Sequence, residues 1–475
     1  MSDQDILGRI PDPRFGPLCA QVVQGMGRWG VPGAVVGVLH GEREQIAAFG
    51  VTSVEHPLPV TEDTLFQIGS ITKTLTTTAI MRLVEMGVLD LDLPIRAYLP
   101  GLRLADESVA ARITLRHLLT HTGGFVGDYY DDFGSDDDAL ARMVAAMAGL
   151  PQLTPLGEVW SYNTSGFCLA GRVVEALTGR RFEVALKELL LDPLGLTTCA
   201  FFAREAITRR FAVGHNLVDG QPAVARPWEV PRFCSPSGGI LCALKDLLRF
   251  ARFQMGDGAA PDGARLLSPR SIALMQTPCL PASGVRMMGL GWFITPVGGH
   301  KIIGHNGGTN GQASDLKIVP EERFAIAVFT NSEAGGALCN EIGEAALAST
   351  LGITIPQPAP LHLPEGALLP YAGRYESAMV VREIMVRDGG LVLQTIYKGG
   401  FPTPDSPPPP PPPAVPAALY GEDRIVVLEG PMAGALGEFL RDAGGRIVWL
   451  RLSSRIHARQ PSHGPGSAPT DGRAS

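Results

Sequence analysis

Strand-forming segments lie on both sides of a long helical block, and this order constrains the fold more than any other feature of the chain. Short apolar segments at 33–40 and 44–49 are joined by a tight turn, and four more strand segments follow between about 289 and 330. Between the two groups, from about 85 to 235, helical periodicity and loops dominate. One sheet completed from both ends, with the helical part inserted, satisfies this order. The sequence therefore predicts an α+β domain in residues 1–352 with a helical insertion at about 85–235.

A second domain is predicted after a proline-rich linker at 353–364. From 365 to 458, short alternating segments are separated by Gly and Asp turns, a pattern typical of a small all-β barrel or sandwich. An insertion at 402–416 contains seven consecutive prolines, 407–413, and predicts exposed polyproline between two strands. The Ser-, Gly- and Pro-rich segment 459–475 predicts a disordered tail.

Ser70 and Lys73 stand three positions apart at the predicted start of a helix, in the run Gly-Ser-Ile-Thr-Lys. Residues with this spacing share one face of a helix, so the lysine could take the proton of the serine hydroxyl. The helix N-terminus would favour the negative charge that develops. A second match to the pattern, Ser314 to Lys317, lies in a predicted strand, where side chains three apart point to opposite faces. Only the first pair is therefore a candidate for catalysis.

Two further segments offer the other groups that acyl transfer by a serine requires, a proton relay and N–H donors for the oxyanion. Tyr162 lies in a polar loop before an apolar helix, where its phenol could relay a proton or, alternatively, cap the helix start. His305 begins a run of small residues that ends at Thr309 and permits close approach of a ligand to the backbone. This strand edge could supply one oxyanion N–H and Ser70 the other; the alternative is a Gly-rich turn between strands.

Metal and cofactor chemistry is not indicated by any pattern in the sequence. His117 and His121 have i,i+4 spacing but lack the glutamate of a zinc-protease helix, so a structural role at a helix end is predicted. The seven cysteines are scattered without a C-x-x-C pair and predict reduced, mostly buried thiols. The glycines of 304–311 do not lie between a strand and a helix, which excludes a dinucleotide loop. We therefore expect no metal and no organic cofactor.

Charge and hydropathy limit the partners of the chain. Its formal net charge is −7, from 40 basic and 47 acidic residues, and no basic stripe suggests nucleic-acid binding. The N-terminus has neither a basic start nor an apolar run, and no stretch approaches the roughly 20 apolar residues of a membrane span. The acidic run 128–138 predicts a solvated loop and helix cap or, alternatively, a site lining that favours cationic substrates. We expect a cytoplasmic protein with no nucleic-acid or membrane partner.

Six segments of the chain occur in the order found in one enzyme family. They are Phe66-Gln-Ile-Gly-Ser-Ile-Thr-Lys, Leu89-Asp-Leu-Asp-Leu-Pro-Ile with Tyr98-Leu-Pro, His117-Leu-Leu-Thr-His-Thr-Gly-Gly, Trp160-Ser-Tyr-Asn, Ser235-Pro-Ser-Gly-Gly-Ile and Gly304-His-Asn-Gly-Gly-Thr. Over about residues 15–350 the chain thus resembles the penicillin-recognising serine hydrolases of the class C β-lactamase type. The resemblance implies a β-lactamase/transpeptidase-like antiparallel sheet flanked by helices. The C-terminal domain resembles the lipocalin-like domain of D-aminopeptidase-type and cyclising-thioesterase relatives, where it helps cover the active site.

The resemblance implies a role for each matching residue. Ser70 would be the acylated nucleophile, Lys73 its proton partner, and Tyr162 the general base and acid. His305 and Gly307 would form the third motif, and the N–H groups of Ser70 and Gly308 the oxyanion hole. The expected catalytic residues are Ser70, Lys73, Tyr162 and His305, and the expected substrate-binding residues are Asn163, Thr164, Gly307, Gly308 and Thr309.

Two positions depart from the β-lactamase pattern. His305 stands where β-lactamases have a lysine that attracts the antibiotic's carboxylate, and in this it resembles the esterases, D-aminopeptidases and related peptidases of the family. Thr164 replaces the asparagine of the usual Tyr-x-Asn motif, and a hydroxyl cannot offer the two N–H donors of an amide. Either Asn163 or a water takes over this role, or amide substrates are handled less well.

These inferences predict a serine hydrolase that acts through an acyl-enzyme on Ser70. Its expected partner is a small-molecule ester or a small or D-configured peptide amide. A β-lactamase and an acyl-transferring, peptide-cyclising thioesterase are the enzymatic alternatives. The non-enzymatic alternative is a catalytically idle relative that binds peptides or acts as a scaffold, and Thr164 is the feature that favours it.

Overall fold

The computed structural model describes residues 15–461, which form two compact units. The first unit extends to Pro356 and includes Phe401–Pro404, and the second comprises Gln357–Gly400 and the residues from Asp405 onward. The first unit is built of helices and an antiparallel sheet, and the second is a closed barrel, so the predicted fold class is confirmed. The predicted disordered tail begins at 459, but Arg459 is the last residue of a barrel strand. From residue 462 onward, the predicted tail lies outside the described residues.

An eight-stranded antiparallel sheet forms the centre of the first unit. The strands of this unit are β1 (Gly33–His40), β2 (Arg43–Gly50), β3 (Phe66–Gln67), β4 (His215–Val218), β5 (Gln221–Val224), β6 (Leu241–Cys242), β7 (Leu280–Ser283), β8 (Arg286–Met288), β9 (Phe293–Val297), β10 (His300–Thr309), β11 (Gln312–Val319) and β12 (Phe324–Thr330). The sheet has the order β2-β1-β12-β11-β10-β9-β8-β7, and Ala34 of β1 lies opposite Thr330 of β12. The N-terminal hairpin and the strands from the far end of the unit therefore build one sheet, as their order along the chain predicts.

Helices cover both faces of this sheet. They are α1 (Phe15–Trp29), α2 (Thr72–Glu85), α3 (Glu107–Arg112), α4 (Leu115–Leu119), α5 (Ala139–Ala146), α6 (Thr164–Thr178), α7 (Phe182–Leu186), α8 (Ala203–Ala206), α9 (Ser235–Gly238), α10 (Leu244–Gln254), α11 (Pro269–Met275) and α12 (Gly335–Leu351). Successive side chains of a strand point to opposite faces. Accordingly, Val35 and Leu39 of β1 join the core shared with the helical insertion, whereas Ala34 and Val36 join the core under α1 and α12.

The insertion is helical for most of its length, but it contains a β-hairpin that we did not predict from the sequence. β4 and β5 pair around Asp219 and Gly220, whose φ angles are 50° and 75°. An Asp-Gly dipeptide favours this two-residue turn because both positions need a left-handed backbone. The dipeptide was therefore a usable signal for the hairpin.

The second unit is a closed antiparallel barrel in which neighbouring strands are also consecutive in the chain. After helix α13 (Glu365–Leu368), its strands are β13 (Gly373–Glu376), β14 (Val380–Arg387), β15 (Gly390–Tyr397), β16 (Val415–Gly421), β17 (Arg424–Val427), β18 (Leu436–Arg441), β19 (Ile447–Leu452) and β20 (Arg455–Arg459). Tyr375, Ile384 and Leu450 belong to the barrel core. An eight-stranded barrel of this topology is the lipocalin architecture, as predicted.

Two barrel strands, β16 and β20, lack the alternation of apolar and polar residues that is typical of a strand. β16 follows the proline run and contains Pro416, which weakens any strand signal. β20 begins and ends with an arginine and is too short to show clear alternation. The prolines 407–413 form no regular structure and are mostly exposed. Among residues 15–461, no helix is long and apolar enough to cross a membrane.

Candidate active site

Ser70 lies in a single 3-10 turn, Gly69–Ile71, directly before α2. The helix that we predicted to hold Ser70 therefore begins two residues after it. Gly69 has a φ of 49°, and a Cβ at this position would lie 2.7 Å from the backbone nitrogen and oxygen of Gly308. Only glycine suits this backbone, because the turn that carries Ser70 touches strand β10 directly.

Lys73, in the first turn of α2, is the hydrogen-bond partner of Ser70. Its Nζ lies 3.2 Å from Ser70 Oγ and 2.7 Å from the carbonyl oxygen of Ser237. The lysine is only 1% exposed, and its Nζ lies 4.9 Å from the centre of the Tyr162 ring. A neutral Lys73 amine in this position can accept the Ser70 proton, and the two fixed oxygens orient it. The predicted pair is thus brought together.

Tyr162 is buried between aromatic rings beside this pair. Its ring is parallel to that of Phe293, with centroids 6.3 Å apart, and packs at a tilt of 32° against His121, with centroids 4.4 Å apart. His121 has a φ of 58°, and its Nδ1 accepts a hydrogen bond from the Asn163 backbone N–H at 3.0 Å. We predicted only a helix-end role for His121 from the sequence. The structure adds contact with Tyr162, which fixes the orientation of the phenol.

His305 presents a neutral imidazole to the site. It is 3% exposed, and its burial, with a smaller contribution from the positive charge that Lys73 carries when protonated, lowers its pKa to about 3. Its Nδ1 lies 2.6 Å from the carbonyl oxygen of Asn306, so Nδ1 carries the proton and donates it. Nε2 is then a buried acceptor with no hydrogen-bond partner in the part of the chain that the structure describes. Unlike a lysine, this group cannot attract an anion by charge.

Gly307 allows strand β10 to pass against the turn that carries Ser70. A Cβ at Gly307 would lie 2.0 Å from the carbonyl oxygen of Ile68 and 2.5 Å from Ser314 Oγ. Ser314 lies opposite Gly307 on β11 and donates a hydrogen bond of 2.8 Å to the same Ile68 oxygen. The Ser314 hydroxyl, which we excluded as a nucleophile, therefore holds the turn in place. Gly69, the residue before Ser70, lies against the backbone of Gly308, so the N–H groups of Ser70 and Gly308 belong to segments in contact, as two donors to one oxyanion must.

Asn163 and Thr164 have different surroundings. The Asn163 side chain is 4% exposed; its Oδ1 accepts from the Gly166 N–H at 2.7 Å, and its Nδ2 donates to the Phe125 oxygen at 2.9 Å. It is the N-cap of α6 and does not line the pocket at Ser70, so it offers no replacement for the missing amide there. Thr164 does line this pocket, and its Oγ1 lies 3.5 Å from Asp128 Oδ1.

The pocket at Ser70 is lined by both polar and apolar residues. Its lining includes Ser70, Lys73, Thr164, Ser237, Gly308 and Thr309, together with Tyr130, Trp228, Val230 and Pro231. Within the acidic run, Asp137 forms ion pairs with Arg181 and Arg232. Asp128, at the start of that run, contacts the pocket residue Thr164.

Comparisons with known proteins identify the family to which the chain belongs. The β-lactamase family model matches residues 20–348. The chain is 37% identical over 361 residues to penicillin-binding protein 4 of Amycolatopsis lactamdurans, covering 73% of this chain and 93% of that protein. It is also 37% identical over 202 residues to esterase EstB of Burkholderia gladioli, but this match covers only 39% of the chain and half of the esterase. The crystal structure of SurE with D-Leu superposes with a TM-score of 0.71 at 26% identity, covering 94% of this chain and 99% of SurE.

The antiparallel sheet with its flanking helices is the β-lactamase fold, and beside it Lys73 contacts both Ser70 and the ring of Tyr162; fold and site together define the class of β-lactamase-fold serine hydrolases. The matched model covers well over half of the chain, and the chain belongs to the β-lactamase family.

Proposed function

We propose that this chain hydrolyses esters and small or D-configured peptide amides through an acyl-enzyme on Ser70. The observation that carries the proposal is the position of Lys73 Nζ, 3.2 Å from Ser70 Oγ and fixed by the Ser237 carbonyl oxygen. A buried amine held against a serine hydroxyl is the arrangement that activates a weak alcohol as a nucleophile.

The geometry supports a two-step reaction. Ser70 Oγ bonds to the substrate carbonyl carbon while its proton passes to the neutral amine of Lys73. The N–H groups of Ser70 and Gly308 stabilise the negative charge on the carbonyl oxygen. Tyr162 then donates a proton to the departing alcohol or amine as its bond to the carbon breaks. Water then attacks the ester carbonyl carbon and gives a proton to the Tyr162 phenolate. As the bond from the carbon to Ser70 Oγ breaks and the acid leaves, Lys73 returns its proton to Ser70 Oγ, which restores the starting state.

The chemistry of His305 and Thr164 favours neutral ester substrates over β-lactams. The neutral imidazole of His305 supplies no positive charge for the carboxylate of a β-lactam. Thr164 supplies no amide N–H donors, and Asn163 does not line the pocket. The similarity to esterase EstB supports ester hydrolysis, and the SurE structure with D-Leu supports D-configured groups. The similarity to a penicillin-binding protein keeps a β-lactamase as the second candidate.

A substrate panel tests this proposal. The panel contains p-nitrophenyl esters, matched D- and L-aminoacyl amides and a chromogenic cephalosporin, each with wild type and Ser70→Ala. We expect the esters to be hydrolysed fastest, D-amides to exceed L-amides, and all turnover to vanish in Ser70→Ala. Strong cephalosporin turnover with negligible ester hydrolysis would make the chain a β-lactamase instead. Amide products on an added amine, in place of free acid, would indicate acyl transfer.

A further inference from the structure

Arg382 is a buried cation inside the C-terminal barrel. It lies on β14 opposite Tyr375 of β13 and Thr395 of β15, and directly paired residues share one face of a sheet. Because Tyr375 belongs to the barrel core, the Arg382 side chain also points inward. It is only 3% exposed, although arginine is rarely buried to this extent without a paired acid.

The hydrogen-bond partners of Arg382 are all neutral. Nη1 donates to Thr395 Oγ1 and lies 3.2 Å from Met432 Sδ, and Nη2 donates to Ser453 Oγ at 3.3 Å. Within residues 15–461, Nε has no hydrogen-bond partner and no acid forms an ion pair with the guanidinium. Burial lowers the pKa of Arg382 only to about 10, so it stays charged at neutral pH.

The groups that surround Arg382 do not balance its charge. His457 is 1% exposed on the inward face of β20, and burial and the Arg382 charge lower its pKa to about 4, so it is neutral at pH 7. Two other titratable side chains act on the pKa of Arg382. The positive charge of Arg455 lowers it, and the phenol of Tyr397 raises it. A buried charge without a counter-charge is costly, so this end of the barrel is suited to an anion.

We propose that the inward face of the barrel around Arg382 binds a small organic carboxylate. The Nε–H and the neighbouring Nη2 form the planar fork that matches a carboxylate, and the Ser453 hydroxyl lies beside it. One buried guanidinium balances one negative charge, which favours a monoanion over phosphate. The next inward positions, Ile384 and Leu393, offer apolar contact for a short hydrocarbon tail. Eight-stranded barrels can hold one small ligand of this kind.

Titration of the full-length protein with sodium butyrate, at constant ionic strength kept with chloride, tests this proposal. Calorimetry should show saturable binding of one butyrate per chain in wild type. Arg382→Met should weaken that binding at least tenfold, because the methionine fills the space without the charge. Arg387→Met, an exposed arginine on the same strand, is the matched control and should bind as wild type does.

A second readout on the wild type keeps the test decisive if Arg382→Met does not fold. The buried Nε–H of Arg382 should give a slowly exchanging nuclear magnetic resonance signal that shifts as butyrate binds. No saturable heat and no shift in wild type would overturn the proposal. So would equal binding by the Arg382→Met and wild-type proteins. Equal responses to butyrate, chloride and phosphate would overturn the assignment to a carboxylate.

Discussion

At the scale of single residues, the site depends on backbone contact between segments far apart in the chain. Gly307 approaches Ile68, and Gly69 approaches Gly308. From the sequence we could infer that small residues at 305–309 permit close approach. The partner could not be inferred, because Ile68 lies more than 200 positions away and no local pattern joins the two.

Gly307→Ala should reduce acylation of Ser70 by about 100-fold or more. The added Cβ would lie 2.0 Å from the Ile68 carbonyl oxygen, so β10 must move away from the turn that carries Ser70. This movement would separate the proposed oxyanion donors at Gly308 and Ser70, and loss of one such donor costs about that factor. Stopped-flow acylation with a p-nitrophenyl ester measures the effect. Gly27→Ala, on an exposed helix position with open space, controls for the substitution itself. Wild-type acylation by the Gly307→Ala protein would contradict the assigned contact.

Lys73→Ala and Tyr162→Phe should each slow acylation by about 100-fold or more, the usual scale for groups that transfer protons. Lys73 touches Ser70 Oγ directly, and Tyr162 lies next to Lys73. Single-turnover kinetics with the same ester separate acylation from deacylation. Unchanged circular dichroism in both variants is the control for folding. If either variant acylates at nearly the wild-type rate, its residue does not have the proposed role.

At the scale of helices and strands, the predictions succeeded where an element has a local sequence pattern and failed where its contacts come from distant segments. The helix after Tyr162 could be predicted because it has a regular apolar pattern. Strand β10 has large apolar side chains only at Ile302 and Ile303, so its extension to Thr309 could not be predicted in this way. The β4–β5 hairpin was missed although Asp219-Gly220 marks its turn. The environment of Asn163 could not be predicted, since its amide caps α6 and reaches Phe125 in a separate loop.

Asn163→Ala should lower the free energy of unfolding by about 1–3 kcal/mol, through loss of a helix cap and of the buried hydrogen bond to Phe125. Because the amide does not line the pocket, the ratio of kcat/KM for amide and ester substrates should stay the same. Urea unfolding and steady-state kinetics measure both quantities. Ser268→Ala removes the N-cap of the remote helix α11 and is the matched control. A selective loss of amide turnover would instead show that Asn163 binds substrate.

At the scale of the whole molecule, the order of strand segments and motifs was sufficient to predict both architectures. Pairing of β1 with β12 joins the two groups of strands into one open sheet, and pairing of β13 with β20 closes the barrel. What the sequence could not reveal is the burial of charge. Lys73 finds its second oxygen at Ser237, 164 positions away, and Arg382 enters a barrel core without an acid. These placements depend on the assembled fold and leave no local pattern.

Stability should fall in acid, in part through His305. Its pKa is about 3 in the folded protein and near 6.5 when unfolded, so the unfolded chain binds the proton first. His305 therefore costs no stability above about pH 6.5 and destabilises the fold as the pH falls toward 3, by up to roughly 1.4 kcal/mol per pH unit. Urea unfolding of wild type and His305→Gln between pH 8 and 4 measures this, with the exposed His56→Gln as control. An unchanged slope in His305→Gln would contradict the burial of a neutral imidazole.

Intact-mass analysis after reaction with a fluorophosphonate probe tests most directly whether Ser70 is the nucleophile that Lys73 activates. Wild type should gain the mass of one phosphonyl group, with peptide mapping to Ser70, and Ser70→Ala should gain none. Lys73→Ala should react about 100-fold more slowly. A folded wild-type protein that gains no adduct, or an equal adduct on Ser70→Ala, would contradict acyl transfer at this serine.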